Sequence, residues 1–129
     1  MLATLGANDK RPARLTHTEA KRRIGALRAQ LGGPRDGALL RHSLGAALLE
    51  AGDPTAAIVQ LRAAVEFNSD YSAAWKLLGK ACLQSGDTAA AAAAWQRGLA
   101  VAQARGDVQA AKEMRVFLKR AERKPDSRR

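Results

Sequence analysis

Residues 72–105 read SAAWKLLGKACLQSGDTAAAAAAWQRGLAVAQAR, and the stretch before them, 38–71, reads ALLRHSLGAALLEAGDPTAAIVQLRAAVEFNSDY. Laid one above the other, they agree where agreement is informative. Leu44-Gly45 falls on Leu78-Gly79 and Gly52-Asp53 on Gly86-Asp87, each 34 residues later. Ala57 falls on Ala91 and Leu61 on Trp95. Any one of these matches is weak; their joint recurrence at one offset is strong. A period of 34 residues predicts stacked helical hairpins, each burying its apolar face only against its neighbours.

The residue types suit that arrangement. Glycine inside a helix costs about 1 kcal/mol relative to alanine. Gly45 and Gly79 are therefore expected where the backbone of a neighbouring helix comes close, with Ala57 and Ala91 as the small faces meeting it. Leu44, Leu48, Leu61, Trp75, Leu78, Cys82 and Trp95 are expected to fill the space between helices. Gly52 and Gly86 can take the left-handed conformation that ends a helix. Asp53 or Thr55, and Asp87 or Thr88, can cap the helix that follows, with Pro54 suited to its first turn.

The second copy reads W-x2-L-G-x2-C and then A-x3-W; the first reads R-x2-L-G-x2-L and then A-x3-L. This resembles the tetratricopeptide repeat, W-x2-L-G-x2-Y followed by A-x3-F. The likeness covers two whole repeats, 38–71 and 72–105, about half the chain. It departs at Arg41, where an aromatic is expected, and at Ser69 and Gln103, where a proline is. The closing stretch GDVQAAKEMRVFLKRAER also looks like the end of short bacterial proteins of that family. The resemblance implies an all-α fold, an α-solenoid of two helical hairpins. It further implies a non-catalytic protein-protein interaction module, such as an adaptor or co-chaperone.

Two hairpins fall short of the three or so repeats that a solenoid needs, and the flanks are expected to supply the rest. In TEAKRRIGALRAQLGG (18–33), Ala20, Ile24, Leu27 and Leu31 form a helical stripe, with Thr18 as N-cap and Gly32-Gly33 as stop. This reads as an N-terminal half-repeat helix. At the other end, GDVQAA (106–111) echoes GDPTAA (52–57) and GDTAAA (86–91). A capping helix is expected over about 107–123, with Val108, Ala111, Met114, Phe117 and Leu118 as apolar contacts. Lys112, Arg115, Lys119, Arg120 and Arg123 would face water. The helical domain thus spans 15–123, between a flexible basic tail at 1–14 and a flexible tail at 124–129.

Composition narrows the function. The net charge is +10, from 22 basic and 12 acidic residues in 129. Residues 38–71 carry two basic and four acidic groups, so the excess lies toward the ends and the second half. A basic domain attracts nucleic acid, anionic membrane or acidic protein. No stretch approaches the roughly 18 uninterrupted apolar residues of a membrane span, and MLATLGANDKRPARL lacks a secretion-type apolar core, so a cytoplasmic protein without membrane contact is expected. The pair Gly79-Lys80 does not open a phosphate loop: residue 74 is alanine and residue 81 is not Ser or Thr. Cys82, the single cysteine, occupies a core position and has no CxxC or His-rich companion. His17 and His42 lack a second ligand at metal spacing. No metal, cofactor or catalytic constellation is read.

The family resemblance places a concave groove along the first helix of each repeat. On the first repeat this implies Leu39, His42, Ala46 and Leu49; on the second, Ala73, Lys76, Lys80 and Leu83, with Gln84 beside them. Spacings of three and four residues keep each set on one face. Lys76 and Lys80 lie one turn apart with no acid three or four residues away on their helix, a repulsion of a few tenths of about 1 kcal/mol. They suit an acidic or extended peptide. Family members that clamp a C-terminal carboxylate use a Lys and an Asn where this chain has His42 and Ala46. The alternative reading is a basic, nucleic-acid-associated helical protein, using KRR (21–23), KR (119–120), RK (123–124) and the final RR. Few aromatics and no recognised reading module speak against it. A monomer or weak homodimer is expected.

Overall fold

Each Gly-Asp pair ends one helix and begins another. Gly52, Gly86 and Gly106 hold φ of 85°, 91° and 73°, the left-handed region that only glycine enters without strain. The amides of Asp53, Asp87 and Asp107 then bond back to the carbonyls of Leu48, Cys82 and Ala102 at 2.9, 2.9 and 2.8 Å, closing the first helix. Their carboxylates turn the other way and accept from the amides of Ala56, Ala90 and Ala110 at 3.1, 3.0 and 3.1 Å, capping the next helix. One dipeptide thus satisfies orphan groups on both sides of the turn, and the chain uses it three times.

The computed structural model describes residues 16–123, all-helical and without a strand among them; the tails expected at 1–14 and 124–129 lie outside the described residues. The helices are α1 (His17–Arg28), α2 (Ala38–Glu50), α3 (Pro54–Phe67), α4 (Ser72–Gln84), α5 (Thr88–Arg105) and α6 (Val108–Arg123). Successive helices pack pairwise; in addition α2 touches α4, and α4 touches α6. The first helices of the hairpins therefore stand side by side, the arrangement of an α-solenoid. α6 takes the place that the first helix of another repeat would occupy, and α1 packs on α2 alone. α5 has 18 residues against the 14 of α3. Where α3 ends in the turn formers Asn68-Ser69-Asp70, α5 carries the helix formers Ala102-Gln103-Ala104 and continues.

Three local expectations change. The cap of α1 is Thr16, not Thr18: Thr16 Oγ1 accepts from the Glu19 amide and Glu19 Oε2 accepts from the Thr16 amide, both at 3.1 Å. That reciprocal pair needs its glutamate three residues after the cap, and Glu19 has that spacing only from Thr16. The helix stops at Arg28, ahead of Gly32-Gly33, and the chain continues in turns over 29–35. Finally, the glycine notches do not bring two backbones together. A Cβ on Gly45 would lie 2.5 Å from Leu61 Cγ, and one on Gly79 would collide with the Trp95 indole. A side chain from the second helix of the same hairpin fills each notch.

Leu44, Ala57, Leu61 and Ala91 are fully shielded from solvent; Gly45, Leu48, Trp75, Leu78, Gly79, Cys82 and Trp95 are also buried. α6 contributes Ala111 and Met114 to this core, with Phe117 and Leu118 partly covered and Val108 left 66% exposed. Gly98, inside α5, is a further notch: its Cβ would meet Met114 Sδ at 2.5 Å and Trp75 Cβ at 2.8 Å. Alanine, Ala64, holds the equivalent position of the first repeat, where no methionine follows.

Arg41 stands where the second repeat has Trp75, and it replaces ring packing with hydrogen bonds. Its Nε and Nη2 donate to Asp36 Oδ1 and Oδ2, each at 2.8 Å, and Nη1 donates to Gln60 Oε1 at 3.2 Å. The guanidinium also lies over Phe67, 5.6 Å from the ring centroid. Trp75 instead donates its Nε1–H to the Ser69 carbonyl at 2.8 Å, under the Arg97 guanidinium at 4.9 Å. The Arg41 fork holds the Asp36 carboxyl well below the usual carboxylate range, helped by the Gly32 amide. In acid the folded chain therefore binds fewer protons than the unfolded one, so stability rises with pH there. The pair's contribution is complete above about pH 4, the unfolded carboxylate value, and is lost as pH falls toward the depressed folded value. Thermal melts of the wild type and Asp36→Asn should differ at pH 6 and converge as pH falls below about 4. A gap that stays constant across that range would show that the ion pair is not its source.

Candidate peptide-binding groove

Contact between α2 and α4 brings the two helix faces together. At one end Leu39 is 70% exposed, and at the other Leu83 is 46% exposed. Between them His42, Ala46, Leu49, Ala73 and Lys76 are half-buried, while Lys80 and Gln84 are open to solvent. His42 packs on Tyr71 with ring centroids 5.0 Å apart. Burial, with the Lys76 ammonium nearby, pushes the His42 imidazole below its usual range, so it is neutral at pH 7.

Lys76 has no acid on its own helix but finds one on α6: Glu113 Oε1 accepts from Lys76 Nζ at 3.2 Å. Lys80 Nζ lies over the Phe117 ring, 5.2 Å from its centroid, and Phe117 in turn leans on Trp95 at 5.2 Å. The two lysines therefore differ: one is ion-paired and the other rests on an aromatic face.

An open cleft of about 580 Å3 lies where α2 and α4 begin, lined by Ala38, Leu39, Asn68, Tyr71, Ser72, Ala73, Arg105 and Asp107. Leu39 and Ala73 are groove positions read from the sequence; Tyr71, Asn68, Arg105 and Asp107 are not. Their signal was the repeat itself. Positions 39, 73 and 107 share one offset, as do 38 and 72, and 71 and 105. Applying the period to turn residues as well as helix residues would have found most of the lining. Arg105 Nη1 donates to the Asp70 carbonyl at 2.9 Å, tying the end of α5 to the turn before α4.

Chemistry elsewhere is sparse. Cys82 is 2% exposed, and burial pushes its thiol up despite the nearby Arg62 guanidinium, so the thiolate needed of a nucleophile is disfavoured. His17 opens α1 on an exposed surface. Among the described residues no three His, Cys, Asp or Glu side chains gather as metal ligands, and no helix is long and apolar enough to cross a membrane. Lys112, Arg115, Lys119, Arg120 and Arg123 line the exposed side of α6.

Paired helices stacked through glycine notches, with their first helices forming a common face, define a helical-repeat scaffold for binding other macromolecules. The chain belongs to the tetratricopeptide repeat family, whose sequence profile, described as Tetratricopeptide repeat, matches residues 48–114. It is 52% identical over 88 residues to the TPR repeat-containing protein PA0015 of Pseudomonas aeruginosa, covering 68% of this chain and 84% of that protein. It is also similar to protein BPP2914 of Bordetella parapertussis, whose solution structure matches with a TM-score of 0.68 at 44% identity, over 85% of this chain and 90% of that one. Tetratricopeptide repeats in general are protein-protein interaction modules and are typically non-catalytic.

Proposed function

We propose that this chain is an adaptor, co-chaperone-like in action, that grips an acidic or extended peptide of a partner protein in the groove of α2 and α4 and catalyses no reaction. The observation that carries this reading is the pair Lys76 and Lys80, one turn apart on a helix that carries no acid. They sit on a face whose ends expose Leu39 and Leu83. Unpaired on their own helix the two cations repel, and a ligand carboxylate relieves that repulsion while apolar side chains of the ligand cover the leucines. We place the partner in the cytoplasm and expect micromolar affinity, roughly −8 kcal/mol. The scaffold itself acts as a monomer or weak homodimer.

The test is a Lys76→Glu/Lys80→Glu double variant titrated into a fluorescent oligo-glutamate peptide. Binding should fall by more than about tenfold, with the helical circular dichroism signal retained. Equal binding by both proteins would refute the groove assignment.

A further inference from the structure

Glu113 belongs to the helix that closes the stack, yet its carboxylate reaches over to α4. The burial that holds α6 in place comes from Ala111, Met114 and the partly covered Phe117 and Leu118. Glu113 adds little to it: the side chains of Lys76 and Glu113 are 27% and 38% exposed, so water reaches the ion pair. Such part-exposed pairs contribute little net stability and are readily exchanged. α6 also supplies the Phe117 ring under Lys80. One helix thus sets the state of both groove cations: Lys76 is occupied by an internal carboxylate and Lys80 is not.

We propose that Glu113 is a stand-in for a ligand carboxylate and sets the groove's specificity. This rests on the acidic-peptide reading of the groove given above. A ligand with a single acidic group meets Lys80 alone, because Glu113 already serves Lys76. A ligand with two acidic groups spaced to match one helical turn displaces Glu113, which swings into solvent, and engages both lysines. Glu113 therefore weakens binding of ligands with clustered acids, which must displace it, more than binding of ligands with a single acid, and so levels the groove's preference between them.

The test compares wild type, Glu113→Gln and Glu122→Gln by fluorescence anisotropy, with an oligo-glutamate peptide and with a Gly/Ser peptide carrying one glutamate. Glu122 lies on the exposed side of the same helix, so its replacement makes the same change in net charge away from Lys76. Glu113→Gln should bind oligo-glutamate about fivefold more tightly than wild type. It should also widen the gap between the two peptides, because the single-glutamate peptide already binds at Lys80 and gains less, while Glu122→Gln changes neither. In a Lys76→Ala background the Glu113→Gln gain should disappear. If Glu113→Gln binds no more tightly than wild type, or Glu122→Gln gains equally, the proposal is wrong while the groove reading stands. If neither wild type nor Glu113→Gln binds either peptide, the groove reading fails and takes this inference with it.

Discussion

Trp95→Ala should lower the free energy of unfolding by about 4 kcal/mol, the middle of the range for removing a buried aromatic. The indole is 2% exposed, fills the notch at Gly79, and packs on Phe117 at 5.2 Å. Its Nε1–H donates to the Lys76 carbonyl at 3.0 Å. Alanine would leave a cavity where α4, α5 and α6 meet, and close packing lets such a cavity collapse only in part. Because small domains have roughly 5–15 kcal/mol in total, the variant should melt far below the wild type or populate the unfolded state at room temperature. Urea titration followed by circular dichroism measures this. A loss under about 1 kcal/mol, no more than an average point substitution costs, would mean the ring is not the keystone of the second hairpin.

The second large effect is one of sign. Intrinsic helix propensity says that Gly79→Ala should stabilise α4 by about 1 kcal/mol. The structure says the reverse. The added Cβ would collide with the rigid indole of Trp95, not with the movable tip of a long chain. Overpacking typically costs about 1–3 kcal/mol, and displacing the ring also strains its bond to the Lys76 carbonyl, worth about 1 kcal/mol. Net destabilisation of about 2 kcal/mol is expected from these terms. Gly25, on the exposed side of α1, is the contrast: a Cβ there meets nothing within 4 Å, so propensity acts unopposed. Combining Gly79→Ala with Trp95→Leu should destabilise by less than the sum of the two, since both act on one contact. A stabilised Gly79→Ala protein would refute the notch.

Notch and ring also explain why the two repeats look less alike than they pack. Leu61 and Trp95 occupy equivalent positions against Gly45 and Gly79, so a leucine and a tryptophan perform the same task. The larger ring also reaches Phe117, through which it supports the aromatic face under Lys80. Trp95 thus joins the core to the surface around Lys80, and Trp95→Leu should disturb Lys80 as well as stability.

The repeat period, the helical class and the Gly-Asp punctuation were legible in the order of residues, because each rests on interactions within a few positions. A glycine that turns left-handed, an aspartate that caps the amide three residues on, and an apolar stripe at helical spacing are local events. What fills the glycine notch was not legible, since either a backbone or a side chain could do so; only the spatial pairing of Gly79 with Trp95 chose the side chain. The fork from Arg41 to Asp36 was missed for a related reason: five residues apart across a helix start matches no helical spacing rule. The partner of Lys76 lies 37 residues away on α6, and no scan of the lysine's own helix could find it. Local spacing therefore determined the elements and their repetition. Contacts between distant elements decided which charges on the α2–α4 face are paired, because coulombic and packing energies depend on separation in space and not along the chain.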